Sequence, residues 1–171
     1  MTSLPVQQVN ITPFFDLEKF MLLSGQKRIQ TDKARELEKI WHEIFAYLQA
    51  YKLGENQEGY LLIYLHQDFE KRLDNITAIN PEQGQELQTM AQALLMASLF
   101  EAEPEAAHSD CAPVPKPDKA LKSSLQKLDL EFDESGALNV RFGLLTGIPF
   151  AGDCEQCYIS SSCAKRILQQ G

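Results

Sequence analysis

Three cysteines, Cys154, Cys157 and Cys163, fall within ten residues in the order Cys-x2-Cys-x5-Cys, and the fourth, Cys111, lies upstream in a proline-rich stretch. A Cys-x-x-Cys pair lets two thiolates converge on one ion, and a third thiolate shortly after closes another face around a metal or cluster. A [4Fe–4S] cluster takes four thiolates, and the chain has four cysteines. Cys111, Cys154, Cys157 and Cys163 are therefore the expected ligands of an iron–sulfur cluster. Zinc is the competing ion: His108-x2-Cys111 with Cys154-x2-Cys157 supplies four tetrahedral ligands and leaves Cys163 spare. Against zinc, Tyr158 follows Cys157 where zinc knuckles usually place glycine. The metal-free alternative treats all four as free thiols, with Cys163 packing as a small hydrophobe.

The spacing of Cys154, Cys157 and Cys163, with Cys111 as a distant fourth, resembles two iron–sulfur signatures. One is the auxiliary-cluster segment of SPASM-type radical enzymes. The other is the C-terminal clasp of RecB-like nucleases, including the CRISPR-adaptation exonucleases and AddB-type helicase–nucleases, where an upstream cysteine supplies the fourth ligand. The resemblance implies a cluster on these residues and no reaction. The chain carries neither the Asp, Glu-x-Lys and Gln-x3-Tyr elements of a nuclease core nor the Cys-x3-Cys-x2-Cys of radical enzymes.

Nothing else in the sequence commits to catalysis. No Ser–His–Asp spacing, Gly-rich phosphate loop or Gly-x-Ser-x-Gly elbow occurs. His42 and His66 lack the Glu-x-x-His element of di-iron bundles and read as surface or hydrogen-bonded groups. The pairs Lys27-Arg28, Lys71-Arg72 and Lys165-Arg166 are scattered, as solvated helix ends would be. The expectation is a non-enzymatic accessory protein that uses a cluster for redox transfer, sensing or maturation of a partner. A zinc-stabilised protein–protein interaction module is the alternative, and an auxiliary subunit of a DNA-processing complex is a third reading. With Cys111 as a ligand, cluster loss is expected to free about forty residues of chain, a metal-coupled switch.

The net charge of −8 disfavours nucleic acid, whose phosphates need clustered Lys and Arg, and favours a protein partner. Runs such as Leu61-Leu62-Ile63-Tyr64-Leu65 are too short to span a bilayer. The N-terminus has no basic stretch followed by an apolar core, so the expected location is the reducing cytoplasm, where clustered cysteines more often bind metal than pair as disulfides.

The elements that must position the cysteines divide into three stretches. Residues 1–100 read as an antiparallel bundle of about four helices. The signals are Thr12-Pro13 opening the first and Ser24-Gly25 closing it, then a second helix from Thr31 to Leu53-Gly54 carrying Leu37, Ile40, Trp41, Ile44 and Leu48. A third is expected from about Glu58 to Leu73 on the stripe Leu62, Leu65, Phe69 and Leu73. A fourth opens at Asn80-Pro81, with Gln83 completing a capping box. Residues 101–120, acidic and then proline-rich at Pro113, Pro115 and Pro117, read as an extended linker. Residues 121–171 read as a small module. In it Leu128, Leu130 and Phe132, then Leu138, Val140 and Phe142, alternate with polar residues as a β-hairpin, and a glycine loop leads into the Cys-rich segment. The expected fold class is thus mainly α.

Overall fold

A computed structural model describes residues 2–108, 112–151 and 157–158. It is a mixed α/β fold built on a four-stranded antiparallel sheet, not a helical bundle. Strands β1 (Val6–Gln8), β2 (Leu48–Leu53), β3 (Gly59–Leu65) and β4 (Gly143–Ile148) lie in the order β1-β2-β3-β4.

The bundle expectation fails at residues 48–65. Leu48 continues the three-four spacing of the preceding helix, and Leu62, Leu65, Phe69 and Leu73 share that spacing, yet 48–53 and 59–65 are the two arms of a hairpin. Tertiary burial decides it. Leu61 through Leu65 are all buried, the mark of a strand covered on both faces and not of a surface helix with one apolar stripe. Leu61, Ile63 and Leu65 enter one core, and Leu62 and Tyr64 enter the other. The turn depends on Gly54 and Gly59 at φ 130° and 140°, where the backbones meet so closely that a Cβ on Gly54 would lie 2.6 Å from the Glu58 carbonyl oxygen.

Helices α1 (Leu17–Ser24), α2 (Thr31–Phe45), α3 (Gln67–Ile79) and α4 (Pro81–Ala102) cover the first face. Helix α1 begins later than Thr12-Pro13 suggested. Its cap is Asp16, which accepts from the Lys19 N–H at 3.2 Å, while the buried Pro13 turns its carbonyl to the Trp41 indole N–H at 3.3 Å. Gly25, in the left-handed region at φ 71°, closes it as expected. Asn80 caps α4 through the Gln83 N–H, with Pro81 in the first turn. Leu37, Trp41, Phe69, Leu73, Met90, Leu94 and Leu99 fill this core against Ala50, Leu61, Ile63 and Leu65.

The second face is covered by α5 (Lys119–Gln126) and the chain reversal that follows it. Asp118 caps α5, accepting from the Leu121 N–H at 2.8 Å. Leu121, Leu125, Leu130 and Val140 pack on Leu53, Leu62, Tyr64 and Leu145. The hairpin expected over residues 128–142 is reduced to a single bridge between Phe132 and Leu138. Its turn is held by the Asp133 carboxylate, which accepts from the N–H groups of Ser135 and Ala137. The Ser135 hydroxyl, foremost, keeps the Asp133 carboxyl below its ordinary range. The glycine stretch read as a loop is instead β4, paired with β3 from Gly59↔Ile148 to Tyr64↔Gly143. Residues on either side of the proline-rich stretch thus share one sheet and both cores. Among the described residues no helix is long and apolar enough to cross a membrane.

Candidate functional site

Of the four cysteines, Cys157 lies among the described residues, while Cys111, Cys154 and Cys163 lie outside them. Two elements converge on Cys157. A 3₁₀ turn, Pro104–His108, follows helix α4, and residues 112–117 run as irregular backbone up to the α5 cap. From the other direction, β4 delivers the chain through Pro149 and Phe150 toward 157–158. The two segments meet at Val114. Its N–H donates to Cys157 Sγ at 3.2 Å, and its carbonyl accepts from the Tyr158 N–H at 2.7 Å. Cys157 is half-buried and Tyr158 is exposed.

Proline spacing explains why Val114 makes this contact. Proline has no N–H, so between Pro113 and Pro115 the Val114 amide is the sole donor. Residues preceding proline are restricted to extended backbone, and Pro115 imposes that on Val114. A sulfur acceptor suits such an amide, which has no strand partner. The sequence reading missed Val114 because a backbone donor has no side-chain signature. The available signal was the alternation Pro113-Val114-Pro115-Lys116-Pro117, which singles out every second amide.

Three concavities surround this junction. An apolar groove of about 490 Å³ has Ala112 and Val114 on one wall and Leu95, Met96, Leu99 and Leu144 among its other residues. A polar cleft of about 360 Å³ includes Tyr158, Lys116, Lys122, Glu131 and Asp133. A smaller one lies between Pro113, Pro115 and the Thr146–Gly147 end of β4.

The other sequence candidates are placed as follows. His108, the alternative zinc ligand, is exposed at the end of the 3₁₀ turn, three residues before Cys111. His42 is exposed on α2, and His66 caps α3, its Nδ1 accepting from the Asp68 N–H at 3.2 Å. Lys71 and Arg72 pair with Asp68 and Glu43. Among the described residues no three His, Cys, Asp or Glu side chains converge as a metal site. Comparison with protein-family models, with curated proteins and with solved structures finds no match to this chain.

Proposed function

We propose that the chain is a non-enzymatic accessory protein that holds an iron–sulfur cluster on Cys111, Cys154, Cys157 and Cys163 and uses it in redox transfer, sensing or maturation of a protein partner in the cytoplasm. One observation carries the reading: Val114 and Cys157, separated by 43 residues, are hydrogen-bonded through the cysteine sulfur. Cys111 is three residues from Val114, and covalent geometry keeps their Cα atoms within about 11 Å of each other. The same limit applies to Cys154 relative to Cys157. Cys111 and Cys154 are thus each tethered by the chain to one side of this contact, which supports a cluster with a distant fourth ligand. An N–H aimed at the sulfur also suits a ligand that carries negative charge.

Anaerobic purification tests the reading. The expected protein is brown, absorbs broadly near ~400 nm and contains iron with acid-labile sulfide. Cys163→Ser should impair the cluster as severely as Cys154→Ser, and His108→Ala should leave it intact. Colourless protein with stoichiometric zinc, sensitive to His108→Ala and indifferent to Cys163→Ser, would replace the cluster by the His-Cys-Cys-Cys zinc site.

A further inference from the structure

We propose that the outer edge of β4 is a docking slot for an extended peptide of a partner protein, apolar through its middle and acidic at its ends, which adds as a fifth strand. This gives form to the protein partner of the reading above but rests on the strand edge alone, whatever the cysteines hold. Strand β4 ends the sheet, and the ladder fixes which of its backbone groups face outward. The Leu65 N–H donates to the Phe142 carbonyl at 2.9 Å. Hydrogen-bonded pairs alternate along an antiparallel ladder, so Ile63↔Leu144, Leu61↔Thr146 and Gly59↔Ile148 are the bonded pairs of β3 and β4. The N–H and C=O groups of Gly143, Leu145 and Gly147 therefore point away from β3. None of them has a backbone partner among the described residues.

The proline segment borders this edge without closing it. Pro113 and Pro115 carry no N–H, and Val114 directs its own polar groups to Cys157 and Tyr158. Between the two runs a slot made of two concavities. One, of about 490 Å³, brings Gly143, Leu144 and Leu145 together with Ala112 and Val114. The other, of about 250 Å³, brings Thr146 and Gly147 together with Pro113, Pro115 and Lys116. The first opens between the layers: Leu95 and Leu99 belong to one core, and Phe132, Leu138 and Val140 to the other. A strand added there is covered on both faces, so its middle is apolar without alternation. The charged side chains lining the slot are Arg141 and Lys116, both cationic in a chain of net charge −8. Arg141 holds Asp74 at 2.9 Å, whereas Lys116 makes no ion pair among the described residues. Acidic ends complement that lining. In strand addition of this kind the main chain gives affinity and the side-chain pockets give specificity.

The probe is a short dye-labelled peptide, aliphatic in its central residues and with paired glutamates at each end. It is titrated into the full-length protein and followed by fluorescence anisotropy, with amide exchange measured on the complex. Saturable binding is expected, with slowed exchange at the Leu145 and Gly147 amides. N-methylating alternate peptide amides should weaken binding at least about tenfold in the phase that faces β4 and little in the other phase. Lysines in place of the glutamates, or Lys116→Glu, should weaken it about 3- to 5-fold at low salt. Gly147→Pro deletes one outward N–H where a Cβ meets nothing within 4 Å, and should weaken binding about 3- to 10-fold, with Gly147→Ala near wild type. Should Gly147→Pro fail to fold, the methylated peptides decide on the wild-type protein. No binding at millimolar peptide, equal binding by both methylated forms, or equal binding by the lysine-ended peptide overturns the proposal. So does slow exchange of Leu145 and Gly147 before peptide is added. Its dependence on protein concentration would then give the edge to a second copy, and its independence to other residues of the same chain. Iron and sulfide content plays no part in these readouts, so the cluster reading stands or falls separately.

Discussion

Truncation after His108 removes α5, the reversal and β4 while leaving α1–α4 and the β2–β3 hairpin. Were residues 1–100 a self-sufficient bundle, the fragment would lose little. The sheet implies the opposite. Leu53 and Leu62 are fully buried and Tyr64 is 6% exposed, and all three rest on Leu121, Leu125, Leu130, Val140 and Leu145. Uncovering each of the three side chains costs about 2 kcal/mol, or about 6 kcal/mol together. The strand also loses its β4 hydrogen bonds and becomes an unpaired apolar edge. The first core loses Phe142, whose ring lies 5.4 Å from that of Phe69. Domains of this size are stable by only about 5–15 kcal/mol, so the fragment should retain helical circular dichroism, bind a hydrophobic dye and melt without a cooperative transition. Urea titration monitored in the far and near ultraviolet checks this. A sharp, coincident transition in both regions would refute the shared-core reasoning. As a milder version, Leu62→Ala in the full chain should cost about 2–5 kcal/mol and preserve cooperativity.

Gly84 faces Thr77 where α3 and α4 pack, and a Cβ there would lie 2.8 Å from the Thr77 Cβ and 2.9 Å from its Cα. Gly84→Ala should therefore lower stability in chemical denaturation by about 1–2 kcal/mol despite the roughly 1 kcal/mol gain in helix propensity, and a stabilised variant would mean that α3 moves aside freely. Burial, with Tyr51 and Asp129 adding to it, pushes the Tyr64 phenol up to about 12. Because the folded-state value is raised above the ordinary 10, the stability linked to the neutral phenol is complete below pH 10 and is lost as pH rises toward 12, by about 2–3 kcal/mol over that interval. Tyr64→Phe should flatten the alkaline limb of the melting-temperature profile, and an unchanged limb would assign it to other groups.

What could be read from the sequence was local, and what could not was long-range. The Asn80 cap with Pro81 and the Gly25 stop are each fixed by a few neighbouring residues, and each is present. The hairpin of β2 and β3 was hidden because Leu62 and Leu65, which enter opposite cores, stand at a spacing that mimics a helical stripe continuing into Phe69 and Leu73. Its second buried face is created only by α5 and β4, which arrive some sixty to eighty residues later. The run Leu61 to Leu65, apolar without interruption and rich in strand formers, was the available signal. Conversely, the period-two pattern at Leu128 to Phe142 suggested two strands, but Leu130 and Val140 serve the second core without a ladder, and one bridge remains. For the site, residue types gave the four thiols and not the amide donor that meets one of them.

The placement of Cys157 also alters what a cluster at the proposed site would do. Between Val114 and Cys157 run α5, the reversal and β4, which together form the second layer and one edge of the sheet. Joining the ends of a loop of about 45 residues removes unfolded-state entropy worth about 4 kcal/mol on the cross-link estimate. With a free linker between the ends, losing that restraint would release the whole segment, and a switch would follow. Here Leu121, Leu125, Leu130, Val140 and Leu145 hold the segment through their own burial, whether or not the ends are joined. Cluster loss would lower the stability of the second layer without detaching it.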